Sequence, residues 1–239
     1  MTFDRRPLYA KTEEVLTRRI ADGTWAPGAL IPPEPELAAE LGVSPGTVRK
    51  ALVGLERRRL IERRQGRGTF VAAHTSERAL FHFFRIRDVH DGRHAPTSLV
   101  LDCRTAPATP AQAAALGLAE GEPVHRVERI RALAAEPVIL ERILLPAARF
   151  PGFALPVLRE MEDELYVLYQ RDFGVTIARA EERLSAVAAS EEQAAKLQLW
   201  PGAPLLEVAR IAYDVADRPV ERRVTWVDTR RHHYAASLD

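Results

Sequence analysis

Residues 41–72 read LGVSPGTVRKALVGLERRRLIERRQGRGTFVA, and this stretch decides the fold of the first third of the chain. Gly42 closes one helix. Ser44-Pro45 opens the next, because a serine oxygen accepts from the free N–H groups of a first helical turn and a proline there lacks only an N–H that would be unpaired anyway. The spacing predicts a helix over Pro45–Arg58. LIERR and GTFVA then read as two short strands, Leu60–Arg64 and Gly68–Ala72, joined by a turn at Gln65-Gly66-Arg67. Working upstream, Glu34–Leu41 reads as a short helix. WAPGALIPPEP, with four prolines in eleven residues, is an extended connection, and Leu8, Val15, Leu16 and Ile20 fall at helical spacing between Pro7 and Gly23.

Three helices followed by a β-hairpin make the winged form of the helix-turn-helix, in which the last helix enters the major groove and the hairpin touches backbone or minor groove. The residues suit that use. Ser44, Gly46 and Thr47 lie where the positive end of a helix favours phosphate and small side chains permit close approach. Arg49 in the next turn has the fork that fits guanine, and Gln65, Gly66 and Arg67 put a polar tip and a cation on the wing. Charge distribution agrees in direction. The first 72 residues hold 13 of the chain's 34 Lys and Arg but only 9 of its 33 Asp and Glu, so the cationic excess is N-terminal.

PLYAKTEEVLTRRIADGTWAPGALIPPEPELAAELGVSPGTVRKALVGLERRRLIERRQGRGTFVA resembles the N-terminal pattern of the GntR family of bacterial transcriptional regulators, above all in LGVSPGTVRKAL and RRQGRGTFV. The resemblance implies phosphate contacts from Tyr9 and Ser44, major-groove contacts from Gly46, Thr47 and Arg49, and wing contacts from Gln65, Gly66 and Arg67. One departure stands out: Pro33-Glu34-Pro35 replaces the family's common Ser-Glu-Arg, so the arginine contact expected there is missing. The domains expected are 1–74, binding DNA, and 75–239, binding an effector and dimerising.

The second part carries an internal repeat. TPAQAAALGLAEGEPVHRVERI from Thr109 matches SEEQAAKLQLWPGAPLLEVARI from Ser190 at a constant offset of 81, with Gln112/Gln193, Leu116/Leu197, Val127/Val208 and Arg129/Arg210 among the identities. Each copy reads as strand, short helix, strand, turn, strand: Thr97–Arg104, Pro110–Leu116, Val124–Ala132 and Pro137–Leu145, then Thr176–Ala188, Glu191–Leu197, Leu205–Tyr213 and Pro219–Val227. A further helix, Glu162–Asp172, lies between them. Hairpins that follow helices point to an antiparallel sheet with helices packed on it, an α+β domain.

Arg129 and Arg131, two apart on one strand, project from one face, and folding back through the turn at Leu133–Glu136 sets Glu141 opposite Arg129. Such a patch suits a small anion or zwitterion, and equally a cross-strand ion pair on a solvated face. Residues from about 80 to 234 resemble the UTRA effector domain of the HutC-type branch, itself similar in fold to chorismate lyase. GEPVHRVERIRALAAEPVILERILLP and DRPVERRVTWVDTRRHHY carry the likeness. It implies a ligand site at Ser98, Arg129, Arg131 and Glu141. Sugar-phosphate sensors of the family present a serine before the Leu-Tyr of the middle helix, and here that residue is Glu164, whose charge repels phosphate. The effector expected is therefore not a phosphosugar. Trp226, next to Val227 where relatives often have tyrosine, is expected to wall the pocket.

Other classes find little support. The one cysteine, Cys103, is expected to be a small buried residue and excludes a disulfide or a cysteine-rich zinc site. His90 and His94 flank Asp91-Gly92, a turn, and no ligand set completes a metal site with them or with His232-His233. The chain shows no nucleophile–base pair, no cofactor motif, no signal peptide and no apolar run of the ~18 residues a membrane helix needs. The reading is a cytosolic homodimeric repressor of a pseudo-palindromic operator, released by a small molecule. Phosphosugar sensing and chorismate-lyase-like turnover are the alternatives.

Overall fold

The computed structural model describes residues 6–74, 83–89, 95–161 and 164–236. The chain divides into two compact units. One is Met1–His74 with Gly174–Arg179 and Tyr213–Arg218, and the other is Thr75–Phe173 with Ala180–Ala212 and Pro219–Asp239.

The N-terminal unit runs α1 (Leu8–Ala21), β1 (Leu30–Ile31), α2 (Glu34–Leu41), α3 (Pro45–Arg57), β2 (Ile61–Arg64) and β3 (Gly68–Val71). Its core gathers one face of each helix, with Leu16, Leu37, Val48 and Leu55 wholly buried against Leu52 and Ile61. Each such side chain contributes about 1.5–3 kcal/mol by leaving water. Gly42 adopts φ +63°, the left-handed conformation that ends α2, and the Ser44 hydroxyl accepts from the Thr47 N–H at 3.2 Å to start α3. The hairpin registers Ile61 with Val71 and Arg64 with Gly68. A third strand was not expected: in the proline-rich connection Leu30 and Ile31 pair with Phe70 and Thr69, giving the order β1-β3-β2. The extended backbone was legible, but its partner was set by tertiary packing.

The second unit contains β4 (Ile86–Asp88), β5 (Thr97–Pro107), α4 (Pro110–Leu116), β6 (Pro123–Leu133), β7 (Glu136–Pro146), α5 (Leu165–Phe173), β8 (Ile177–Ala188), α6 (Glu191–Leu197), β9 (Pro204–Asp214), β10 (Pro219–Asp228) and β11 (His232–Tyr234). Six strands form one sheet in the order β5-β6-β7-β10-β9-β8. The sequence repeat is thus a pair of three-stranded meanders that meet where β7 runs antiparallel to β10. Both short helices start with the same device: Thr109 and Ser190 cap, while Gln112 and Gln193 reach back to the capping residues' own N–H groups. The middle helix begins at Leu165 rather than Glu162, which lies outside the described residues. β4 pairs with β11 in a small extra sheet that the sequence reading did not contain.

One face of the sheet is apolar and covered. Leu140, Leu205 and Trp226 pack with Ala194 and Leu197 of α6, and Val124 and Leu144 pack with Ala113 and Leu116 of α4. The opposite face carries the polar residues of the pocket. Cys103 is half-buried on β5, opposite Val127, rather than in the core: β5 is an edge strand, and burial there is partial. No helix among the described residues is long and apolar enough to cross a membrane.

Candidate functional site

In the N-terminal unit the start of α3 is open to solvent. Ser44, Pro45 and Gly46 are exposed, Thr47 is half-buried, and Arg49 projects outward with two-thirds of its side chain accessible. Tyr9 on α1 lies beside this helix, with the Lys50 ammonium 3.9 Å from its ring centroid. Gln65, Gly66 and Arg67 are exposed at the hairpin tip, where Gly66 holds φ +70°. Arg49 is not loose: its Nε–H donates to Glu34 Oε2 at 2.9 Å, and Glu34 also faces Arg63 of β2 at 3.8 Å.

In the second unit the register places Glu141 directly opposite Arg129 and Ser98 directly opposite Arg131. All four are buried. The Arg129 Nε–H donates to Glu141 Oε2 at 2.6 Å, and Arg131 Nη2 donates to Glu164 Oε1 at 2.5 Å, so Glu164 joins the cluster as its position before Leu-Tyr implied. Burial alone would raise the Glu141 carboxyl, but Arg129, Arg223 and Arg131 hold it well below the usual carboxylate range. Arg131 is brought down to about 10 by burial and by the repulsion of Arg129.

The structure adds residues the sequence reading did not single out. Arg223 bridges two carboxylates, donating to Glu141 Oε1 at 3.2 Å and to Glu221 at 2.8 and 3.0 Å. Glu221, fully buried, also accepts from the Tyr166 and Tyr169 hydroxyls at 3.0 and 2.9 Å. Burial and the charge of Glu221 push Tyr166 up to about 12. Arg210 donates to Glu182 at 2.7 Å and to the Phe83 carbonyl at 2.5 Å. The Arg129/Arg210 match in the repeat was the available signal for this second arginine. A small cavity of about 30 Å³ over the face is walled by Phe83, Phe84, Ile139, Val208 and Tyr234.

Four guanidiniums and four carboxylates therefore share this face, and Arg85 lines the same cavity. Two donors remain unfilled: Arg129 Nη2 and Arg131 Nε are buried with no hydrogen-bond partner. A buried, unpaired N–H is costly, so each of these two donors favours an acceptor brought to it. Glu141, by contrast, has both oxygens engaged, since Thr225 Oγ1 also donates to Oε1 at 3.4 Å.

Trp226 is not in this group. Period-two alternation puts Thr225 on the pocket face and Trp226 on the other, where it packs in the core under α6 and donates Nε1–H to Glu207 Oε2 at 2.8 Å. The expectation that it walls the pocket is corrected accordingly. His125 is a satisfied core histidine, bonded through Nδ1 to Thr105 and through Nε2 to the Phe150 carbonyl. His232 and His233 lie on β11, and His90 and His94 fall outside the described residues.

A family model described as the UTRA domain matches residues 91–233, and one described as bacterial regulatory proteins, gntR family, matches residues 8–71. The chain is 30% identical to the HTH-type transcriptional regulator SmoD of Agrobacterium fabrum over 97% of its length and 96% of that protein. It is 30% identical to the histidine utilization repressor of Pseudomonas putida over 85% of its length and 81% of the relative. The ligand-binding domain of a GntR-family regulator from Bordetella bronchiseptica superposes with a TM-score of 0.62 and 38% identity, covering 66% of this chain and 98% of that one. The winged head and the two-meander sheet are thus those of a transcription factor rather than an enzyme, and the chain belongs to the GntR family of bacterial regulators, in the HutC-type branch that joins operator binding to a UTRA effector domain.

Proposed function

We propose that this protein is a homodimeric repressor of a pseudo-palindromic operator, released by a small carboxylate-bearing metabolite, zwitterionic rather than phosphorylated. Arg49, Thr47 and Gly46 read the major groove, Tyr9 and Ser44 hold phosphate, and Gln65, Gly66 and Arg67 contact DNA through the wing. Two heads are needed because one offers few phosphate contacts, and two spaced about one helical turn apart roughly double them. The ligand acts by preferring one arrangement of the dimer, with a coupling of about 1–3 kcal/mol. Domains 1–74 and 75–239 divide these tasks, in the cytoplasm where the operator is.

The observation that carries the ligand assignment is the pair of unfilled donors on Arg129 and Arg131. A carboxylate offers the acceptor oxygens these donors lack. Ser98 lies at the same end of the site, and Glu164, with Oε1 on Arg131, has a second oxygen for an ammonium group. A phosphate dianion meets the Glu164 carboxylate instead. The histidine named in the Pseudomonas relative is a zwitterion of this kind.

Calorimetry on the full chain tests the reading, with a panel of α-amino acids and simple carboxylic acids set against glucosamine 6-phosphate. Binding of a panel member that disappears in Arg131→Ala supports it. Tight glucosamine 6-phosphate binding overturns it.

A further inference from the structure

We propose that Glu34 is a positioning residue for base reading: it fixes the Arg49 guanidinium and keeps that arginine from settling on phosphate. The inference rests on the assignment of Arg49 to the major groove.

The head of α2 is where Pro33-Glu34-Pro35 departs from the family's common Ser-Glu-Arg. Pro33 caps the helix at φ −55°, ψ 150°, and Pro35 stands at its second position, so Glu34 is flanked by two residues whose φ is locked by their rings. A carboxylate on so stiff a mount has little freedom of its own, and its side chain is only about one-fifth exposed. From there it reaches two elements that face DNA in a winged head, Arg49 of α3 through Nε at 2.9 Å and Arg63 of β2 at 3.8 Å. Arg63 is steadied in turn by Glu56 at 3.3 Å.

Which nitrogen is held matters. With Nε–H donated to Glu34, the Nη1 and Nη2 edge of Arg49 remains whole, and that edge presents two parallel donors to the O6 and N7 of guanine. The charge of Glu34 matters as well. A carboxylate next to the reading arginine repels the phosphate backbone and cancels part of the attraction that would let Arg49 bind any sequence. Glu34 thus gives up some general affinity in exchange for discrimination, at the place where an arginine contact is missing from this chain.

The test uses the intact 239-residue chain and the duplex it selects from random DNA. The guanine read by Arg49 is the position whose preference is lost in Arg49→Ala, and fluorescence anisotropy then compares duplexes with each base there, and a random duplex, at one fixed salt concentration. Glu34→Gln is expected to lower discrimination at that guanine by about tenfold, a good part of what one bidentate contact supplies. It is also expected to bind the random duplex several-fold more tightly. The double variant with Arg49→Ala should match Arg49→Ala alone, because Glu34 acts through Arg49. A structural role would weaken all duplexes alike. Unchanged discrimination in Glu34→Gln, with preference lost in Arg49→Ala, overturns this inference and leaves the assignment of Arg49 standing. If Arg49→Ala keeps every preference, both fall.

Discussion

Arg129 on β6 and Glu141 on β7 face each other across the ladder, joined by a 2.6 Å hydrogen bond with 1% and 5% of their side chains exposed. Removing one partner of such a pair strands a buried charge. Glu141→Ala is expected to destabilise the effector domain by about 3–5 kcal/mol in urea denaturation. The pH dependence follows from the depressed carboxyl. The unfolded chain takes up this proton near pH ~4.3 while the folded chain resists. The stabilisation is therefore complete at neutral pH and declines as pH falls below that value. A urea midpoint that does not drop between pH 6 and 3 would contradict this.

Glu164 sets the charge of the pocket. Glu164→Ser leaves Arg131 without its carboxylate and makes the cluster more positive by one charge. The variant is expected to gain at least about tenfold in affinity for glucosamine 6-phosphate by calorimetry, since a like charge beside the phosphate is gone. No gain would mean that Glu164 does not face the ligand.

Ser44 has two separable roles. Ser44→Ala should cost about 1 kcal/mol of head stability through loss of the cap. Ser44→Asp keeps a good cap but sets a negative charge where phosphate is expected, so thermal melting should hold near wild type while operator affinity falls about tenfold or more. Loss of both together would assign Ser44 to folding alone.

The β6–β7 turn is built from residues poorly suited to it. Ala134 and Ala135 adopt φ +49° and +67° in a two-residue hairpin loop, a place that favours Asn-Gly. Ala134→Asn with Ala135→Gly is predicted to stabilise the effector domain by about 1 kcal/mol, read from the denaturation midpoint.

Most of the sheet was legible because the chain states it twice. The repeat gives six strands and two helices, and the turn brings Arg129 to the neighbourhood of Glu141; strict counting from the two-residue loop would pair Arg129 with Leu140, and an irregularity between Arg131 and Ala132 shifts the ladder by one residue to set Glu141 there. Arg223, Glu221 and Thr225 were not legible for the opposite reason: they reach the pocket through the β7–β10 pairing, which no turn defines and which comes from docking one meander on the other. Without that register the face of Trp226 was also undetermined. β1, β4 and β11 are two or three residues each, too short for any periodicity, and exist through partners distant in sequence.

A dimer that reads sequence through its third helix selects a defined site from random duplex DNA, so the decisive experiment is that selection with the purified chain, repeated with Arg49→Ala. The wild type is expected to enrich a short palindrome whose preference the variant loses at defined guanines. A wild-type selection that yields no motif at moderate salt, or the same motif from both proteins, would contradict it.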